Sequence, residues 1–351
     1  MNRLSRILVS LCCLISSGLA VVSCNKQKKF EWLASVTSPN MYPIMVDKSI
    51  LIYENGYTYL DSGDYLAGRW GGSGSKNYTD TSAKPVPYRL VITWLSWAES
   101  KFYKGVFDLP TEKIEDYFKE GYINYEGQWE TYSIILVGMA PEGVVVVWLL
   151  GNSACVEIDR FQAETTEEYS VRDIAPGANG LWGEYPSIEQ FAKEMLEPEV
   201  KEYVKQNGLG DHLWDKYRER FPFRVKWEYE SDKGKTNKVC HDFYNGESGW
   251  LLDSAEINNP TYAMQARIKQ IVFDWIDGEQ IFRSNITFDE KEIFSAYKQI
   301  YKGDPARKGE IVCRVNRSND SIQVFFRGEN RGDTDSEIRL DKCTIAIYNC
   351  N

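Results

Sequence analysis

Ile92-Thr93-Trp94, Phe102-Tyr103-Lys104-Gly105 and Pro110-Thr111-Glu112-Lys113-Ile114, running on to Phe118-Lys119, have counterparts in the same order further along the chain. These are Ile271-Val272-Phe273, Phe282-Arg283-Ser284-Asn285 and Asp289-Glu290-Lys291-Glu292-Ile293, running on to Tyr297-Lys298. Each stretch continues into an apolar segment, a polar turn and a second apolar segment. Residues 133–137 turn at Pro141-Glu142-Gly143 into 144–151, and residues 311–315 turn at Ser318-Asn319-Asp320 into 321–328. The offset is 179 between Ile114 and Ile293 and 177 between Gly151 and Gly328, so small gaps align the two copies. Self-similarity at a fixed offset marks a repeated structural unit. The unit reads as hairpin, helix, hairpin, which makes the chain α+β.

Outward from that pair, the helices are expected near 110–120 and 289–301. Pro110 suits a first helical turn, where its missing donor would be unpaired anyway. Ile114, Tyr117 and Phe118 then share one face, as do Ile293, Tyr297 and Tyr301. Asp289 and Glu292 have the spacing of a capping box. Residues 144–150 (Val-Val-Val-Val-Trp-Leu-Leu) are apolar on both faces, so that strand should be central and covered twice. Copy two alternates, as in Ser321-Ile322-Gln323-Val324, which predicts one solvated face. Asn55-Gly56 and Asn245-Gly246 sit between β-prone runs as hairpin turns do. The expected organisation is two tandem similar lobes, 30–165 and 221–351, each a mainly antiparallel sheet packed by one helix. A helical connector, 166–220, joins them, with helices at 187–193, 200–205 and 212–220. Residues 62–87, rich in Gly, Ser, Asp and Thr, are too long for a simple turn and read as a mobile loop or a functional flap.

The N-terminus carries Arg3 and Arg6, an apolar run from Ile7 to Val22, and Val21-Val22-Ser23-Cys24. A basic start, a short apolar middle and small residues before a cut describe a secretory signal, here residues 1–23. The final four residues resemble the lipobox of bacterial lipoproteins. That resemblance implies lipid attachment at Cys24, with residues 24–29 as a polar tether. Two or three acyl chains, at ~0.8 kcal/mol per buried methylene, suffice for stable anchoring. The expected location is the bacterial envelope, at the outer membrane facing the periplasm. Loss of Arg3 and Arg6 takes the formal charge from −10 to −12. An acidic chain with no long basic run repels phosphates, which argues against nucleic acid as a partner.

Five cysteines remain after Cys12, Cys13 and Cys24: Cys155, Cys240, Cys313, Cys343 and Cys350. At most two disulfides can form, their pairing open. With no Cys-x-x-Cys and two histidines, no metal site or cofactor is expected. Cys240-His241 suggests a nucleophile and base, but neighbours in an extended segment point to opposite faces. Glu99 and Asp277 occupy matching turn positions in the two copies. No catalytic residue is assigned, because no nucleophile elbow, zinc helix or Walker loop occurs. Gly71-Gly72-Ser73-Gly74 lacks the lysine and helix that a phosphate loop needs. Among 11 Trp, 22 Tyr and 15 Phe, those in strand-like segments read as core. Trp70 and Trp182 are the candidate ligand-binding residues, since both lie in Gly-rich loops. A large aromatic there is either a plug folded back into the protein or a contact for a partner.

The first lobe also resembles a family of exported lipoproteins known as domain of unknown function 2931. The likeness rests on Phe30-Glu31-Trp32, Ser38-Pro39, Tyr42-Pro43, Trp94, Phe102-Tyr103-Lys104-Gly105 and 109–114. It continues through 137–144 and ends near Trp148-Leu149-Leu150-Gly151. It implies an exported lipoprotein and brings no catalytic residue. The expected function is membrane-anchored, non-enzymatic binding of an envelope protein or glycan. The alternative is an envelope or polysaccharide hydrolase using acidic residues.

Overall fold

The computed structural model describes residues 28–60, 65–77, 81–170, 173, 187–329 and 337–350. The signal segment, Cys24 and Trp182 lie outside the described residues. The first half runs β1 (Leu33–Thr37), β2 (Ile44–Tyr53), β3 (Gly56–Leu60), β4 (Arg89–Ser96), β5 (Lys101–Asp108), α1 (Thr111–Glu120), β6 (Ile134–Ala140), β7 (Val144–Leu150), β8 (Cys155–Gln162) and β9 (Glu164–Thr166). Then come α2 (Ile188–Met195), α3 (Pro198–Asn207) and α4 (Leu213–Arg218). The second half runs β10 (Arg220–Tyr229), β11 (Gly234–Phe243), β12 (Ser248–Leu251), α5 (Ser254–Asn258), β13 (Ile268–Asp277), β14 (Gln280–Thr287), α6 (Glu290–Tyr301), β15 (Gly309–Val315), β16 (Ile322–Gly328), β17 (Glu337–Arg339) and β18 (Thr344–Asn349). The protein is α+β.

Each half contributes two five-stranded sheets rather than the single one expected, and the first half adds two short pairs, Phe30–Glu31 with Ala83–Lys84 and Tyr122–Ile123 with Trp129–Glu130. In the first half one sheet is ordered Ser75–Asn77, β1, β6, β7, β8 and the other β9, β5, β4, β2, β3. In the second half the orders are Ala263–Ala266, β10, β15, β16, β17 and β18, β14, β13, β11, β12. The strand order of the first half therefore recurs position for position in the second. The crossover through the helix explains the doubling, because it carries the chain from one sheet into the other. It also leaves one parallel pair in each half, β1 with β6 and β10 with β15, among otherwise antiparallel neighbours. Strand β8 meets β12 at Cys155 and Ser248, so two of the sheets run on as one of ten strands.

The helices lie where the apolar spacing places them. Ile114 and Phe118 on α1, and Ile293, Tyr297 and Tyr301 on α6, are buried. Pro110 stands one position before α1 rather than within it. The capping box at α6 is half made. Asp289 accepts from the Glu292 backbone N–H at 2.9 Å, but the Glu292 carboxylate turns away to accept from Asp341 and Lys342 N–H. Strand β7 is covered on both faces. Val145, Val147 and Leu149 pack with Ile114, Phe118 and Trp94 in the first-half core. Val144, Val146 and Trp148 pack into a second core with Trp214, Tyr244 and Ile293. The hairpin β6–β7 is thus a shared wall between two cores.

Among the described residues of the connector, three short helices are complete. Ser187 caps α2 by accepting from Gln190 N–H, and Gly208, at φ 73°, ends α3. Helix α4 stops at Arg218, short of the expected 220, because Arg220 already pairs in β10. Ion pairs stitch the connector to both halves. Glu157 on β8 accepts from Arg218 at 2.6 Å and from Asn245 at 3.2 Å. Arg160 grips Asp215, and Arg220 reaches both oxygens of Glu247 at 2.8 Å.

Candidate functional site

Where the first half, the connector and the second half meet, a cleft of about 420 Å3 opens. Its walls are Tyr42 and Trp70 from the first half, Tyr203, Trp214 and Tyr217 from the connector, and Tyr244 from the second half. Trp70 reaches the floor because its loop lies directly on the second half. Gly71 sits at φ +76°, and a Cβ there would be 2.4 Å from the Gly246 Cα. The glycine run that might have cradled phosphate instead permits this backbone approach. Trp70 is 7% exposed and sets its edge on Trp148, with centroids 4.8 Å apart. Trp148 in turn donates to the Asn245 carbonyl at 3.0 Å. Trp70 is therefore a plug folded inward that also forms part of the cleft.

The rings are held by their polar ends. Tyr42 donates to the Gly208 carbonyl at 2.9 Å, Tyr217 to Glu290 at 2.8 Å and Tyr244 to the Phe288 carbonyl at 3.3 Å. Burial pushes the Tyr42 phenol up to about 12 and also raises Tyr217 and Tyr244, so all three remain neutral donors. Edge contacts link Tyr42 to Tyr203 and Trp214, and Trp214 to Tyr217. Such packing fixes ring orientation. Asn40, Arg69, Lys269 and Glu290 add polar groups to the lining. Arg69 is paired with Asp242 at 2.7 Å.

The residues weighed for catalysis have other work. Cys240 is pushed up to about 12 by burial, and burial pulls the His241 imidazole down to about 4. Burial likewise raises Cys155, Cys313 and Cys343, so these thiols stay protonated. Cys155, Cys240, Cys313, Cys343 and Cys350 are free thiols in the structure. Glu99 accepts from Tyr103 at 2.7 Å and from the Glu142 backbone, clamping one turn to the next. Asp277 does the same in the second half, accepting from Ser231 and Asn319. A second cavity of about 370 Å3 beside the β8–β12 joint contains His241, Glu247 and Glu256. There both Glu247 oxygens are taken by Arg220. Among the described residues no group of three His, Cys, Asp or Glu could hold a metal ion.

Of the two sequence candidates, Trp70 belongs to the cleft and Trp182 lies outside the described residues. Tyr42, Tyr203, Tyr244, Lys269 and Glu290 carry no local mark of a site, since they come together only through folding. Trp214 and Tyr217 fall within the connector helix expected at 212–220, and nothing in the sequence marks them as cleft walls.

Fold and cleft define an α+β protein with an aromatic ligand-sized hollow at the junction of its parts. A family model described as protein of unknown function (DUF2931) matches residues 21–210, more than half of the chain, and the protein belongs to that family. The match includes Tyr42, Trp70 and Tyr203 and ends before Trp214. No curated protein and no solved structure matches the chain.

Proposed function

We propose that this protein is a lipid-anchored envelope receptor that binds a glycan in the aromatic cleft without transforming it. The observation that carries the reading is the cleft itself. Six aromatic rings, three tied by their hydroxyls, form a hollow within the roughly 300–1,000 Å3 range of small-ligand sites. Rigid aromatic faces stack on the apolar faces of sugar rings, and the polar lining suits hydroxyl groups. The hydrolase alternative calls for two carboxylates flanking the scissile bond. Among the described residues the cleft lining contains one, Glu290, and Tyr217 already holds it.

The matching strand orders support a second part of the proposal, that the halves are tandem copies of one module with the ligand seated between them. For the anchor, the lipobox-like segment places Cys24 at the head of a short tether before Phe30. No helix among the described residues is long and apolar enough to cross a membrane. The proposed location is the periplasmic side of the outer membrane. Cys24→Ser should stop lipidation and either release the protein from membranes or stall it as a precursor. Unchanged processing and membrane association would sink the anchor.

Binding is tested by titrating the purified chain from residue 25 onward with envelope and dietary oligosaccharides, followed by calorimetry. Tyr203, 37% exposed, offers its ring with least structural cost, so Tyr203→Ala should weaken binding of a positive ligand about tenfold. A stacked ring contributes roughly 1–3 kcal/mol in comparable base-stacking sites. Retention of no oligosaccharide, or full affinity in Tyr203→Ala, would overturn the reading.

A further inference from the structure

The pairing of β13 with β11 is irregular at two places: Asn237 is skipped on β11, and at the start of β13 Asp242 faces Gln270 but Phe243 faces Ile268. Lys269 is the residue skipped on β13, the extra position of a β-bulge. Bulges bend a strand and re-aim one side chain, and they are enriched beside functional sites. The Lys269 carbonyl accepts from Phe288 N–H at 3.1 Å, and its side chain lines the aromatic cleft.

The ammonium group of Lys269 forms no ion pair or hydrogen bond with any described residue. The nearby carboxylates are already engaged: Asp242 is gripped by Arg69, and Glu290 accepts from Tyr217. Burial, and then the Arg69 charge, lower the Lys269 pKa, as expected of a cation short of compensation. Among the described residues the lining has Arg69 and Lys269 against Glu290, an excess of one positive charge in a chain of net charge −10. An unpaired, half-buried cation amid aromatic rings is costly unless something completes it.

We propose that Lys269 completes its coordination with a carboxylate of the ligand, making the cleft selective for acidic sugars of the uronic acid type. The selectivity rests on the glycan reading of the cleft. Aromatic faces would hold the sugar ring while the ammonium makes a charge-assisted hydrogen bond to its carboxylate.

The test is calorimetric titration with an oligomer of galacturonic acid and with the galactose oligomer of the same length and linkage. The acidic oligomer should bind roughly ten- to hundredfold more tightly, the span of one charge-assisted hydrogen bond. Added salt should erode that margin. Lys269→Met should erase it, and an unchanged far-UV circular dichroism spectrum and urea midpoint in that variant would report that the fold around the cleft is kept. Lys269→Arg should keep most of it. Equal affinity for both oligomers in the unmodified protein, or a margin that survives Lys269→Met, would overturn the selectivity and leave the glycan reading standing. Failure of both oligomers to bind would count against the glycan reading itself, and the selectivity would fall with it.

Discussion

Acidification from pH 7 to pH 4 should destabilise this protein through His241 in particular. The side chain is 8% exposed, lies beside Phe243, and its Nε2 finds no hydrogen-bond partner among the described residues. Burial holds the folded imidazole at about 4 against its ordinary 6.5. The unfolded chain therefore takes up a proton near pH 6.5, whereas the folded chain resists until about pH 4. Stability from this group is complete above 6.5 and is lost as pH falls through that window. At about 1.4 kcal/mol per pH unit the loss sums to about 3 kcal/mol, a large share of a typical folding free energy. Urea midpoints measured at pH 7, 6, 5 and 4 on the unmodified protein and on His241→Leu isolate the effect. Carboxylate titration is common to both proteins and cancels in the difference. Leucine is close in volume and takes no proton, so the difference should shift by about 3 kcal/mol in its favour between pH 7 and 4. Parallel profiles would refute the argument and mean that the imidazole is solvated or finds a partner.

Three further outcomes follow from the packing. Ile114→Ala and Ile293→Ala, at fully buried positions, should each cost about 2–5 kcal/mol in urea unfolding; losses below about 1 kcal/mol would contradict the role given to those helix faces. Arg218→Met should cost about 3–5 kcal/mol near neutral pH by leaving the Glu157 carboxylate buried without its cation. The Glu157 pKa is already raised by burial, so acid should relieve the penalty as that carboxylate takes a proton, and an equal loss at pH 4 would argue against this origin. Gly71→Ala forces a Cβ against Gly246 at a positive φ; it should unseat Trp70, seen as a red-shifted tryptophan emission, and weaken ligand binding, and an unchanged spectrum would mean the loop has room to shift.

The apolar face of each helix and the doubly apolar strand at 144–150 could be read from the chain, because side-chain spacing alone dictates them. Ile114 and Phe118, or Ile293 and Tyr297, have to share a side at 3.6 residues per turn. Val144 to Leu149 likewise has to find cover on two faces, and it does so as the wall between two cores. What the strand was covered with was not local information. The second sheet in each half arises from a crossover whose destination depends on pairings across some hundred residues, such as Leu33 with Ile134 and Phe223 with Gly309. The cleft is further still from the linear pattern. Tyr42, Trp70, Tyr203, Trp214 and Tyr244 converge from segments with no shared periodicity, and Lys269 enters their company through a one-residue bulge that spacing does not announce. Periodicity reports which side of an element is apolar; only the packing of distant elements decides which rings meet and which charge is left between them.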